Sequence, residues 1–412
     1  MVSQLVEDIS RDANGFGFFS PKRFEFCMEH LSSELATKVM SPLSYGRCYN
    51  FSAGPSMLPV EILEHVQTDM LNFKGTGQSV MEMSHRSKEY LQIYNAAEKD
   101  MRDLLSIPQH YKVLNLQGGA TLQFSAIPLN LLGGSAGNKC DYLVTGQWSE
   151  KSFVEARKYG DPIAAVDTKS NKYTQIPDES SFNVRPDSRY LYYCDNETVN
   201  GVEFQYVPDS QGVPLITDMS SNFMSRHVDV NKYAVIYAGV QKNLGPAGNT
   251  VVIVDEKFLG KNEHPLTPVY CSWKTAADSG SMYNTPSCFS IYVMGLYLRY
   301  TKEKGGIQYW EDLSARKSNL LYDTIDNSDG FYSAPVHKSC RSRMNVPFVI
   351  DGGNDVLEKQ FLDEATKAGM INLAGHRSVG GLRASIYNGM PTEGVEALVT
   401  FMKQFQEQSM AA

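Results

Sequence analysis

Apolar positions along this chain follow two rhythms. Between residues 112 and 254, short apolar runs bounded by turn formers alternate with stretches whose apolar residues recur every three or four positions. Lys112–Leu116, Asp141–Thr145, Tyr190–Cys194, Leu215–Asp218, Tyr233–Tyr237 and Thr250–Val254 are short enough to be buried strands. The longer rhythm predicts helices. One starts near Pro59 with Val60, Leu63, Val66 and Met70 on one face. A second runs over Lys88–Leu105 with Leu91, Tyr94, Ala97, Met101 and Leu104 inward. A third follows Gly118–Thr121 through Leu122, Ala126 and Leu129, with a kink expected at Pro128, and a fourth spans Ser149–Tyr159. Strand followed by helix, repeated, predicts an α/β fold with an open, mostly parallel sheet. Ligands of such sheets sit at the strand carboxyl ends.

The rhythm changes after Val254. Tyr270–Pro286 holds few aliphatic residues, and helical patterns follow over Cys288–Lys302 (Ile291, Met294 and Leu298 on one face) and Ile307–Tyr322. Strand-like Arg343–Ile350 and Leu382–Tyr387 then flank an amphipathic stretch, Asn354–Ala368, and another ends the chain. This is an α+β pattern. The predicted division is an extension over 1–48, a large domain over 49–305 whose first residues, 49–60, pack on the small domain, and a small C-terminal domain over 306–412. A helix is expected over Phe26–Met40. No internal repeat or low-complexity tract interrupts the pattern.

Composition narrows the functional classes. The chain has 412 residues, 42% hydrophobic and 20% charged, with a net charge of -8. That balance argues against a nucleic-acid surface or a polybasic membrane patch. No apolar run has the length of a membrane span. Residues 1–10 lack the basic and apolar regions of a secretory signal, and the acids Glu7, Asp8, Asp12, Glu25, Glu29 and Glu34 argue against an organellar transit segment. A cytoplasmic location is expected, with an organellar one as the alternative. Seven scattered cysteines form no Cys-x-x-Cys pair, so neither a disulfide framework nor a structural zinc is expected.

The candidate chemistry gathers at strand ends. Lys242 sits between two apolar runs in Tyr237-Ala-Gly-Val-Gln-Lys-Asn-Leu-Gly-Pro-Ala-Gly248. A lysine so placed is poised for a lowered pKa and carbonyl chemistry, or is simply a solvated turn lysine. Asp218 ends a strand, as a partner carboxylate or a helix cap. Gly118–Thr121 open a helix, as an anion seat or a tight turn. Trp148 offers a flat ring, or is core, and Thr198 offers a hydroxyl, or is a turn residue. Together these are the groups that pyridoxal phosphate needs: an amine for its aldehyde, an anion for its ring nitrogen, backbone donors for its phosphate and a stacking face. Two His-Arg pairs, His85-Arg86 and His376-Arg377, and Arg383 could clamp carboxylate or phosphate groups.

The stretches Asn50-Phe-Ser-Ala-Gly-Pro55, Ser84-His-Arg-Ser87, Asn196-Glu-Thr198, Tyr237–Gly248, Tyr283-Asn-Thr-Pro286 and Gly375-His-Arg with Gly380–Asn388 resemble the phosphoserine aminotransferases. These are class-V members of the fold-type I pyridoxal-phosphate enzymes, and the likeness runs from about residue 49 to the C-terminus. It implies a mostly parallel seven-stranded sheet flanked by helices, with a smaller α+β domain. It implies a homodimer with shared active sites, and ping-pong transamination between L-glutamate and 3-phosphohydroxypyruvate in serine biosynthesis. By the same resemblance, Lys242 forms the Schiff base, Asp218 pairs with the ring nitrogen, Trp148 stacks and Thr198 bonds near the phenolic oxygen. Ala120, Thr121 and Gln241 hold the cofactor phosphate, and Asn284 and Thr285 reach it from the partner subunit. His85, Arg86, His376 and Arg377 correspond to the pocket for the substrate phosphate or glutamate side chain, and Arg383 to the α-carboxylate clamp. The chain departs from the pattern at Ala120, where a third glycine is frequent.

Three other readings are weighed against this one. A serine–glyoxylate type aminotransferase would keep Lys242 and Asp218 but need no paired His-Arg motifs. A cysteine desulfurase would need a cysteine in a mobile loop. A protein that only binds a phosphorylated ligand would use the glycine-loop lysine without chemistry.

Overall fold

The computed structural model describes residues 43–134 and 138–411. The helix expected over Phe26–Met40, and nearly all of the extension, lie outside them.

In chain order the described elements begin with β1 (Tyr49–Asn50), α1 (Val60–Asp69), α2 (Lys88–Leu105), β2 (Tyr111–Leu116), α3 (Gly119–Leu131), β3 (Lys139–Val144), α4 (Gln147–Ala156) and β4 (Asp161–Asp167). Next come β5 (Leu191–Cys194), β6 (Asn196–Glu197), β7 (Val202–Glu203), β8 (Leu215–Asp218), β9 (Val235–Gly239) and β10 (Thr250–Asp255). The remainder are α5 (Trp273–Asp278), α6 (Cys288–Glu303), α7 (Ile307–Asp326), β11 (Tyr332–Ser333), β12 (Asn345–Ile350), α8 (Asp355–Lys367), β13 (Met370–Ile371), β14 (Leu382–Ser385) and α9 (Thr392–Ala411).

The central sheet has seven strands in the order β2-β10-β9-β8-β5-β3-β4. Only β10 runs antiparallel to its neighbours, so the sheet is mostly parallel as expected. Burial on both faces explains the near-continuous apolar runs. Thr250–Asp255 is buried throughout, with one side of the sheet packed on α2 and α6 and the other on α3. The edge strand β4 escaped the sequence pattern. Its run Asp161-Pro-Ile-Ala-Ala-Val-Asp carries Pro162, which demotes a strand reading and is tolerated at an edge.

Helix faces are rotated from expectation in two places. α1 buries Ile62 and Val66 rather than Val60, Leu63 and Met70. α2 buries Tyr90, Tyr94, Ala97, Met101 and Leu105, leaving Leu91 exposed. The aromatic rings of Tyr90 and Tyr94 take the core side, and the aliphatic rhythm alone marked a neighbouring stripe. α3 continues through Pro128 to Leu131. Tyr270–Pro286 is not without structure, because it holds α5 and buries Trp273.

A separate core gathers the β11-β12-β14 sheet with α7, α8 and α9. Tyr49, Phe51 and Met57 join this C-terminal core, and β1 pairs in parallel with β13. α7 bridges the two cores: Ile307 and Trp310 belong to the first, Leu321, Tyr322 and Ile325 to the second.

Candidate active site

The carboxyl ends of β3, β5 and β8 open on one edge, and the loops after β2 and β9 reach the same edge. There they enclose a cavity of about 320 Å³, within the usual size range of small-molecule sites. Its wall includes Ala120, Thr121, Trp148, Thr198, Asp218, Gln241, Lys242, His376 and Arg383. The sequence placed the first seven of these at strand ends or helix starts. The last two arrive from the C-terminal part of the chain.

Lys242 lies in the loop between β9 and β10. Ser56 Oγ donates to its carbonyl, and Ser56 N–H donates to the Gln241 carbonyl at 2.9 Å. Gly54 packs on the lysine stem: a Cβ there would stand 3.4 Å from Lys242 Cγ, at a φ of +136° that side chains rarely adopt. The amine therefore projects into the cavity, where it donates to Thr198 Oγ1 at 2.6 Å and lies 5.6 Å from the centre of the Trp148 ring. Burial pushes its pKa below the ordinary lysine value, and the Asp218 charge opposes this.

Asp218 ends β8 and is buried. Its Oδ1 accepts from Ser220 N–H at 2.8 Å. Burial raises its pKa, while the Ser220 hydrogen bonds and the Lys242 charge oppose the rise. Ser220 Oγ in turn accepts from Gly239 N–H at 2.9 Å, which ties the ends of β8 and β9 together.

α3 starts beside these groups. Gly118 precedes it at φ +94°, with no side-chain cap on the first turn. A Cβ at Gly118 would collide with Leu122 at 2.5 Å, so glycine is needed for space as well as for conformation. The uncapped N–H groups of this turn, next to Ala120 and Thr121, have the geometry that suits an anion. Arg383, on β14, donates from Nη1 to the Thr198 carbonyl at 3.3 Å, while its Nε is buried without a protein partner among the described residues. Trp148 Nε1 is likewise buried and unpartnered. His376 Nδ1 meets Ser378 Oγ at 2.7 Å, and burial and Arg383 hold the ring below its ordinary pKa.

Five expected residues do not line this cavity. Arg86 and Arg377 are exposed, and His85 is buried at the turn before α2. Asn284 and Thr285 are exposed on the outer side of the strand end that leads into α3, where Gln117 donates to the Thr285 carbonyl at 3.1 Å. Other residues escaped sequence reasoning. Ala53 and Gly54 lie in a stretch that pointed only to a resemblance. Ser220 and Ser221 follow Asp218 with no local sign of their own contact with the site. Glu197, in the Asn196-Glu-Thr198 run, carries no local sequence signal of its role.

An amine beside an anion, a flat ring and an uncapped helix start suit pyridoxal phosphate, and the orphaned Arg383 Nε on the cavity wall suits an acidic substrate. The site and fold thus define a class, and the comparisons agree. The family described as Aminotransferase class-V matches residues 48–398, and the chain belongs to it. It is a pyridoxal-phosphate-dependent aminotransferase. Within the class it is 51% identical to the phosphoserine aminotransferase of Laribacter hongkongensis, over 87% of this chain and 98% of that one. It is also 51% identical to the Arabidopsis thaliana protein named phosphoserine aminotransferase 2, chloroplastic, over 87% and 85% of the two chains. The structure of pyridoxal-phosphate-bound phosphoserine aminotransferase from Trichomonas vaginalis superposes with a TM-score of 0.82 at 38% identity, covering 87% and 100% of the chains.

Proposed function

We propose that this enzyme moves the amino group of L-glutamate to 3-phosphohydroxypyruvate, giving O-phospho-L-serine and 2-oxoglutarate in L-serine biosynthesis. The observation that carries this reading is the 51% identity to a phosphoserine aminotransferase across 98% of that relative's length. Arg383 on the cavity wall, suited to an α-carboxylate, supports it.

The residues divide the work as follows. Bound pyridoxal phosphate supplies an electron sink for the substrate's Cα–H bond. Lys242 would anchor the cofactor covalently until the substrate amine displaces it; its freed amine, made less basic by burial, would then move the proton off the substrate Cα and, in the reverse half, return one there. Asp218 would hold a proton at the ring nitrogen. Trp148 presents its face to the ring, and Thr198 orients the lysine amine at 2.6 Å. Ala120, Thr121 and Gln241 seat the phosphate. Arg383 clamps the α-carboxylate, and His376 on the cavity wall receives the distal phosphate or carboxylate; His85, Arg86 and Arg377 lie off this wall, so any part for them belongs with the homodimer proposed below. The two acids take the same cationic pocket in turn.

Asn284 and Thr285 face outward, which suits a role in the neighbouring site of a homodimer. Exposed Leu266, Val269, Tyr270 and Tyr283 lie in the same part of the chain and would be covered there. The solution mass is then twice 46.0 kDa. The division into a large unit over 49–305 and a small one over 306–412 is supported by the two cores. A cytoplasmic location is our reading, with an organellar one as the alternative. Among the described residues no helix is long and apolar enough to cross a membrane.

A coupled assay with glutamate and 3-phosphohydroxypyruvate tests the reaction. Parallel double-reciprocal plots are expected, with activity abolished in Lys242→Ala. Intersecting plots, or full activity in the variant, would overturn the assignment.

A further inference from the structure

We propose that Glu197 is a positioning residue that sets the Trp148 ring, so that cofactor affinity depends on its carboxylate through Trp148. This rests on the reading of the cavity as the cofactor site.

α4, which carries Trp148 in its first turn, begins after Gly146, a residue with no side chain to cap it. The cap comes from elsewhere in the chain. Glu197 Oε2 accepts from Trp148 N–H at 2.9 Å, and Oε1 accepts from Ser149 N–H at 2.8 Å and Ser149 Oγ–H at 2.6 Å. Asn200 Oδ1 accepts from Gln147 N–H at 3.2 Å. Residues 196–203, the β6–β7 hairpin, therefore take up the orphan donors of this helix start. Glu197 is fully buried. A Cβ on Gly146 would lie 2.3 Å from its carboxyl carbon, and since Gly146 is extended, glycine is required there for space alone.

Three donors converge on two oxygens, an arrangement that fits an acceptor-only carboxylate at the positive end of a helix. The next residue, Thr198, accepts from Lys242 Nζ, and its carbonyl accepts from Arg383. One turn of chain thus holds the ring, the amine and the carboxylate clamp in fixed relation. A glutamate that merely capped α4 would need no such neighbours. With them, any slack at Glu197 moves the Trp148 face relative to Lys242.

The experiment is a double-mutant cycle on pyridoxal phosphate affinity, read by equilibrium dialysis, with apoprotein melting measured alongside. Glu197→Gln keeps the size and both Ser149 contacts, but sets an amide N–H against the Trp148 N–H. The expected loss is about tenfold in Kd, the scale of one hydrogen bond to a charged group. Trp148→Ala removes the ring and weakens binding by itself. If Glu197 acts through the ring, Glu197→Gln costs little more in the Trp148→Ala background. Additive losses, or an unchanged Kd in Glu197→Gln, would overturn the proposal. Should Glu197→Gln fail to fold, Ser149→Ala removes one donor and enters the same cycle: a smaller, non-additive loss supports the proposal and an additive one refutes it. Wild-type protein that bound no pyridoxal phosphate would instead sink the cofactor site itself.

Discussion

At the scale of single residues, the site works by placing opposite charges where water is scarce. Asp218 and Lys242 are each pushed towards neutrality by burial and pulled back by the other. Asp218→Asn keeps the acceptor for Ser220 N–H but removes the anion. The Lys242 amine then becomes less basic still, and the ring nitrogen loses its counter-charge. We expect kcat/KM with glutamate to fall on the order of a hundredfold, measured by steady-state kinetics at saturating cofactor. A variant within twofold of wild type would remove Asp218 from the mechanism. Both residues stood out beforehand as candidates, because Asp218 ends an apolar run and Lys242 sits in the loop between two. Glu197 did not, because nothing local distinguishes a buried carboxylate that caps a helix 48 residues away.

At the scale of elements, backbone turns do what side chains cannot. Gly201 links β6 to β7 at φ +73°, and a Cβ there would meet Pro347 Cδ at 2.3 Å. Gly201→Ala should cost about 2 kcal/mol or more of stability, from strain and overpacking together. Urea unfolding of the apoprotein measures it, and an unchanged midpoint would show that β12 can move aside. α2 depends on a simpler device: Ser87 Oγ accepts from Tyr90 N–H at 3.2 Å, capping its start. Ser87→Ala should cost about 1 kcal/mol in the same assay. The bounds of α2 were legible from its periodicity, yet neither its Ser87 cap nor its buried face was. A stripe of Leu91 and Leu104 reads as core until Tyr90 and Leu105 are seen against α6.

At the scale of the whole molecule, one buried charge links the C-terminal core to the turn after the arginine-bearing strand. Lys317, on α7, is fully buried and donates to the carbonyls of Tyr387 and Met390 at 2.7 and 2.8 Å. Burial lowers its pKa from 10.5 to about 7. Below about pH 7 it is charged in both folded and unfolded states, and its cost is constant. Between about 7 and 10.5 the folded protein sheds a proton that the unfolded chain keeps, so stability rises with pH over that interval. Compared with Lys317→Met, wild type should gain about 2 kcal/mol between pH 7 and pH 9 in urea titrations. A constant difference would mean that the two carbonyls hold the proton in place.

The sequence by itself determined six of the seven central strands, missing only the edge strand β4, and which chemistry could gather at their ends. These follow from local rules: an apolar run of strand length must be buried, and a glycine turn frees the N–H groups of the helix that follows. Only the tertiary structure decided that His376 and Arg383 join Lys242 across more than a hundred residues of chain. It alone placed Glu197 under Trp148 and left Asn284 and Thr285 facing outward. Contacts between segments far apart in sequence depend on how the two cores pack around α7, and no local pattern of polar and apolar residues encodes that geometry.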